Sequence, residues 1–148
     1  MTRKVMLVSS PGGHLADLML LADAMPTEWE RVWVLNDDSP LLPSSEARHV
    51  ITHAERDLRQ VLNLVELTRL VRRHRPDAIL TCGASPAVPA ALVGKVFGVP
   101  TVYVEPLSSV TRLSLTGRLM GRLADAFFVQ WDGLVSRVPG ARCEGPLL

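Results

Sequence analysis

At 148 residues with 47% apolar side chains, the chain is long enough for one hydrophobic core and too short for two ordinary domains, so a single domain over 1–148 is expected. Its 16 basic and 15 acidic residues nearly cancel, which argues against a general nucleic-acid binder, because such proteins need a large cationic excess against phosphate. Two cysteines, Cys82 and Cys143, lie far apart without metal-ligand spacing, which argues against a disulfide framework and suits a reducing cytosol.

In chain order, the first predicted strand runs from Lys4 to Ser9. Its apolar stretch is too short for a signal-peptide core, and no later run approaches the roughly 20 apolar residues of a membrane span, so a soluble or peripheral protein is expected. The turn Ser9-Ser10-Pro11-Gly12-Gly13-His14 leads into a helix from His14 to Met25. A strand from Arg31 to Asn36 follows. Residues Asp37 to Arg48, with Pro40 and Pro43 among serines and acids, read as a loop before a strand from His49 to Thr52. Helical spacing covers Asp57 to Arg73. Pro76 then precedes a strand from Asp77 to Cys82, and Pro86 opens a helix to Phe97 that Gly98 can end in a left-handed conformation. Pro100 precedes a strand from Thr101 to Glu105; a helix from Leu115 to Leu123 and a strand from Ala126 to Gln130 complete the series. Most of the strands are continuously apolar, as in a parallel sheet covered on both faces. The expected class is therefore α/β, a Rossmann-like parallel sheet with helices on both faces.

Ligands bind such sheets at the carboxyl ends of the strands, and three polar or glycine-rich segments fall there. In the first, Gly12 and Gly13 allow close backbone approach, and the helix starting near His14 offers free amides and a positive dipole end to an anion. His14 has a near-neutral reference pKa suited to a general base. The blander reading is a plain turn with His14 capping the helix. The segment is neither a dinucleotide fingerprint nor a phosphate loop, since Leu15 and Ala16 follow the histidine. The second segment is Cys82-Gly83-Ala84-Ser85-Pro86, where small residues permit close approach and Ser85 is placed to cap the next helix; Cys82 reads as a buried strand-end residue rather than a nucleophile. In the third, Val104-Glu105-Pro106, the carboxyl group of Glu105 is placed to hold a hydroxyl or to bond amides of the adjoining loop. Apart from these, Leu58, Val61, Leu62, Val65 and their neighbours alternate with Arg56, Arg59, Arg69, Arg72, Arg73 and Arg75, while Arg112, Arg118 and Arg122 flank Leu115, Leu119 and Leu123. Such basic amphipathic helices either lie on anionic membrane or simply divide core from solvent.

Read together, Ser9-Ser10-Pro11-Gly12-Gly13-His14 with Leu15-Ala16-Asp17-Leu18, Val104-Glu105-Pro106, Arg112 to Gly117 and Phe128-Val129-Gln130-Trp131 give the chain a resemblance to the Alg14-like oligosaccharide biosynthesis proteins, including bacterial PssD-type polysaccharide proteins. Members look like the N-terminal, acceptor-side domain of a GT-B glycosyltransferase and pair with a separate subunit resembling the C-terminal, donor-binding domain; the ending at Gly145-Pro146-Leu147-Leu148 suits such a partnership. A similar order of motifs occurs in the MurG transferases. The resemblance implies a glycosyltransferase subunit, inactive without its partner, that uses a lipid-diphosphate-linked saccharide acceptor. It implies Ser10, Gly12, Gly13, Gly83 and Ser85 on the acceptor side and His14 and Glu105 as candidate catalytic residues, with no metal or cofactor required. Eukaryotic relatives look anchored by an N-terminal transmembrane helix that this chain lacks, so peripheral contact at the inner face of the cell membrane is expected, with Asp57 to Arg75 the first choice. Two other classes stay open: a noncatalytic membrane anchor or activator, and a free-standing nucleotide-binding module.

Overall fold

A computed structural model describes residues 2–54 and 57–147. Among these residues, seven strands form one parallel sheet: β1 (Lys4–Ser9), β2 (Glu30–Leu35), β3 (Ala47–Val50), β4 (Ala78–Thr81), β5 (Thr101–Val104), β6 (Ala126–Val129) and β7 (Arg142–Cys143). Their spatial order is β3-β2-β1-β4-β5-β6-β7. The chain therefore builds outward from β1 in one direction and resumes on its other side with β4. Between β1 and β4 the connections diverge, and a crevice opens there at the carboxyl ends of the strands.

Helices α1 (Gly13–Asp23), α2 (Gln60–His74), α3 (Ala87–Phe97) and α4 (Leu115–Leu123) divide between the two faces. Alternation along β1 sets the division. Val5 and Leu7 point to the α1 side and pack with Leu15, Leu18, Trp33 and Leu80. Met6 and Val8 point the other way and meet Leu67 and Val71 of α2 and Ala90 and Val93 of α3. Register carries this second face from Val8 through Thr81 to Tyr103 and Phe127, where α4 supplies Met120. Each fully buried Leu, Val or Phe side chain contributes about 1.5–3 kcal/mol, so both layers are needed to hold the sheet.

Two differences from the sequence reading have physical causes. Strand β3 begins at Ala47, inside the predicted loop, and ends at Val50. It is an edge strand paired only with β2 and half exposed, so no apolar run marks it. Buried Ile51 and Ala54 beyond its end draw the apolar signal forward. The preceding loop is held by Arg48, whose guanidinium donates to Ser39 O at 3.2 Å and Leu42 O at 3.1 Å. Helix α2 starts at Gln60 rather than Asp57, because residues 57–59 form a turn in which Asp57 accepts from Arg59 N–H at 3.0 Å. Gly98 ends α3 with φ 67°, in the expected left-handed conformation. His49 of β3 meets His74, the last residue of α2, Nε2 to Nε2, at 2.8 Å. Arg56 lies outside the described residues.

Candidate functional site

The carboxyl ends of β1, β2 and β4, with the starts of α2 and α4, enclose a cleft of about 860 Å³ whose lining includes Ser10, His14, Asn36, Ser85, Gln60 and Leu115. A volume of this size suits a saccharide-sized ligand.

Gly12 caps α1 with φ 100° and ψ −144°, a conformation closed to L side chains, and among the described residues no side-chain hydrogen bond caps the helix. No acid lies in the first turn either. A Cβ on Gly12 or Gly13 would meet nothing within 4 Å, so open space borders the backbone on both. Both stand on the exposed turn between Ser10 and His14, which line the cleft. The amide-rich turn is thus sterically open to an anion.

His14 does not cap the helix. It is the second helical residue, and its Nδ1 lies 3.3 Å from the carbonyl oxygen of Cys82. A carbonyl only accepts, so Nδ1 carries the proton and Nε2 is left as the basic nitrogen. Gly83 makes this possible. Its φ is 121°, and a Cβ there would stand 3.2 Å from His14 Nδ1 and 3.3 Å from the Tyr103 hydroxyl. The ring therefore rests on bare backbone. Cys82 itself is fully buried, and burial, with Asp17 nearby, pushes its thiol far above the ordinary range, leaving it inert.

Ser85 lines the cleft but does not cap α3, whose cap position is Pro86. Its hydroxyl instead accepts from Asn36 Nδ2 at 3.2 Å. The loop reaches this position through Ala84 at φ 67°, a costly backbone conformation for alanine.

Glu105 departs from the expectation that it faces a ligand. Its side chain is fully buried and is absent from the cleft lining. The Tyr103 hydroxyl donates to Oε2 at 2.8 Å and Ser114 N–H donates to Oε1 at 2.5 Å. Tyr103 keeps its proton, since burial and the neighbouring Glu105 raise its pKa. Ser114 in turn caps α4 by accepting from Gly117 N–H at 2.9 Å. The carboxyl group therefore supports the start of α4, close to the other alternative, bonding of loop amides. Asp17 of the first motif acts similarly, accepting from Leu107 N–H at 2.9 Å and tying α1 to the loop after β5.

Asn36, His53, Asp57 and Gln60 line the cleft without having been singled out in the sequence. Asn36 follows the apolar run of β2 directly, the same placement that marks Ser10 after β1. The others lie on irregular chain or at a helix start, where no periodicity points to them. Beside the cleft, Leu58, Val61, Leu62 and Val65 are exposed, as are Leu115 and Leu119 of α4. No helix among the described residues is long and apolar enough to cross a membrane, and none of their His, Cys, Asp and Glu side chains gather in a metal-holding group of three.

Comparison with known proteins follows this geometry. A family model described as "Oligosaccharide biosynthesis protein Alg14 like" matches residues 36–147. The UDP-N-acetylglucosamine--N-acetylmuramyl-(pentapeptide) pyrophosphoryl-undecaprenol N-acetylglucosamine transferase of Parasynechococcus marenigrum (strain WH8102) is 30% identical over 155 residues, covering 96% of this chain and 42% of that protein. The chain thus spans about two-fifths of such relatives, and the match includes the Gly12-Gly13-His14 turn, which the family model leaves out. The Homo sapiens UDP-N-acetylglucosamine transferase subunit ALG14 is 23% identical, covering 91% of this chain and 78% of that protein. Among solved structures, Acinetobacter baumannii MurG aligns with a TM-score of 0.74 and 16% identity over 88% of this chain and 42% of its own. Staphylococcus aureus MnaA with UDP aligns with a TM-score of 0.77 and 14% identity over 99% of this chain and 44% of its own. At such identities the structural likeness speaks to the fold alone.

Proposed function

The chain belongs to the Alg14-like oligosaccharide biosynthesis family, and from that premise we propose that it is the acceptor-side component of a glycosyltransferase using a lipid-diphosphate-linked saccharide. The observation that carries the reading is His14. Its Nδ1 is engaged by Cys82 O, so Nε2 is the free base on a residue lining a saccharide-sized cleft.

The chemistry follows from the placement. An acceptor hydroxyl attacks the anomeric carbon of a nucleotide sugar, its proton passes to His14 Nε2, and the bond from that carbon to the nucleoside diphosphate breaks with the electron pair leaving on phosphate. The open amides behind Gly12 and Gly13 offset negative charge on the acceptor diphosphate. Ser10, Gly83 and Ser85 shape the acceptor side of the cleft, while Glu105 acts as a positioning residue through Ser114. The nucleotide sugar is supplied by a separate GT-B C-terminal-like subunit, so the chain alone is inactive. The acceptor lipid is met at the inner face of the cell membrane, through exposed apolar residues of α2 and α4 with arginines beside them.

The exposed apolar ridge Leu58, Val61, Leu62 and Val65 also favours a second reading, in which the chain only anchors and activates its partner. One experiment separates the two. The chain is co-purified with the donor-binding subunit and assayed for transfer to a prenyl diphosphate saccharide. His14→Ala is expected to lower kcat about 10²–10⁴-fold with the complex intact on gel filtration. Unchanged turnover removes His14 from the chemistry and leaves the anchoring reading; transfer by the chain without a partner contradicts the two-component arrangement.

A further inference from the structure

Asn36 is 4% exposed, and its side chain lines the cleft beside Ser85. Its Nδ2 donates to Ser85 Oγ at 3.2 Å, but Oδ1 is buried and has no hydrogen-bond partner among the described residues. A buried amide oxygen left unpaired is costly, and a donor arriving from outside the chain would satisfy it. Ser85 is left half-used by the same bond. Its oxygen accepts from Asn36, which frees its one hydrogen to donate.

The pair thus presents one acceptor and one donor side by side. Reversing the Asn36 amide changes nothing: Ser85 then donates to the amide oxygen, and the amide nitrogen and the serine lone pair become the free donor and acceptor. The nitrogen and oxygen of one amide are about 2.2 Å apart, so with the 3.2 Å contact Oδ1 lies no farther than about 5.4 Å from Ser85 Oγ. One hydroxyl oxygen bonded to both at about 2.7–2.8 Å spans that gap. A trans secondary amide does not, because its N–H and C=O point in opposite directions.

We propose that Asn36 and Ser85 together read one sugar hydroxyl of the bound saccharide and are specificity-determining residues of the cleft. The loop before α3 supports this, since it passes through Ala84 at φ 67° and holds Ser85 against Asn36. The inference rests on the reading that a saccharide occupies the cleft, and it assigns the pair a part in choosing which one.

The test uses the full chain with ¹⁵N-labelled asparagine and histidine side chains. It is titrated with water-soluble short-chain prenyl diphosphates carrying glucose, galactose or N-acetylglucosamine, then with mono-deoxy analogues of each sugar that binds. Binding is expected to shift the Asn36 side-chain amide, and removal of one particular hydroxyl to weaken affinity at least about tenfold. The doubly substituted Asn36→Ala, Ser85→Ala chain is expected to bind that deoxy analogue and the parent sugar alike. If the native chain is indifferent to every deoxy position, or if the variant discriminates as the native chain does, the hydroxyl reader is overturned while saccharide binding stands. If no probe shifts either Asn36 or His14, both fall together. The native-chain arm requires no variant to fold.

Discussion

Gly117 of α4 passes Glu105 where only a hydrogen fits. A Cβ at this position would fall on Glu105 Oε2 and stand 2.8 Å from its Cδ. The carboxyl group cannot move aside, because Tyr103 and Ser114 hold one oxygen each. Gly117→Ala is therefore expected to lower stability by about 1–3 kcal/mol, read as a shift in urea midpoint with the slope unchanged. Glu105→Asp, which withdraws the carboxyl group by one methylene, is expected to recover part of that loss in the double variant; strict additivity would deny the contact. The same residues mark the limit of sequence reading at this scale. His14 and Ser85 were legible, because polar residues after an apolar run at a strand's end announce themselves. For Glu105 the sequence offered loop amides as one of two alternatives, and Ser114 N–H takes that place, but the bond to Tyr103 two residues earlier follows from no local pattern. Asn36 carried the same strand-end signal as Ser10 but was absorbed into its strand.

At the scale of elements, β3, whose start the sequence misplaced, also has a conditional attachment. Besides its ladder to β2, β3 is joined to the last turn of α2 by the His49–His74 contact, in which one ring donates and the other accepts. Burial lowers the pKa of His49, with Arg73 adding to it; burial, then His49, Lys4 and Arg73 lower that of His74, against a smaller opposing pull from Glu30. The folded protein thus binds protons here less readily than the unfolded chain, whose value is near 6.5. The contribution is fully present above about pH 6.5 and is lost as pH falls through the lowered folded values. Thermal melts between pH 7.5 and 5.5 are expected to show a steeper fall in Tm for the native chain than for His49→Gln, His74→Gln, in which neither ring remains to titrate. Equal slopes would mean that the pair has no such linkage. Sequence alone placed these histidines near β3 and just past α2 without joining them. It missed β7 altogether, because a two-residue strand carries no periodicity.

For the whole molecule, the alternation of apolar runs and helical spacing was enough to read a parallel sheet with covered faces, since that pattern has few other three-dimensional solutions. What it left undecided is which surfaces remain for partners. Leu58 in the turn before α2 and Val61, Leu62 and Val65 on the helix follow spacings of three and four, and all four are exposed. The neighbouring turn and first residue of the helix, Asp57 and Gln60, line the cleft, as do Leu115 and Leu119 of α4. Ridge and cleft therefore meet at the start of α2. If the ridge seats in lipid, an acceptor of the proposed kind would carry its diphosphate toward the open amides of α1 while its chain stays in the bilayer. Apolar insertion and arginine attraction differ in their response to salt. Replacing Leu58, Val61 and Leu62 by Ser is expected to lower partition into anionic vesicles about tenfold or more at both low and high salt, because the lost term is burial of apolar area. Reversing Arg69, Arg72 and Arg73 to Glu is expected to lower it strongly at low salt and little at high salt. Partition equal to that of the native chain in both variants would remove α2 from the membrane and return the ridge to the protein partner.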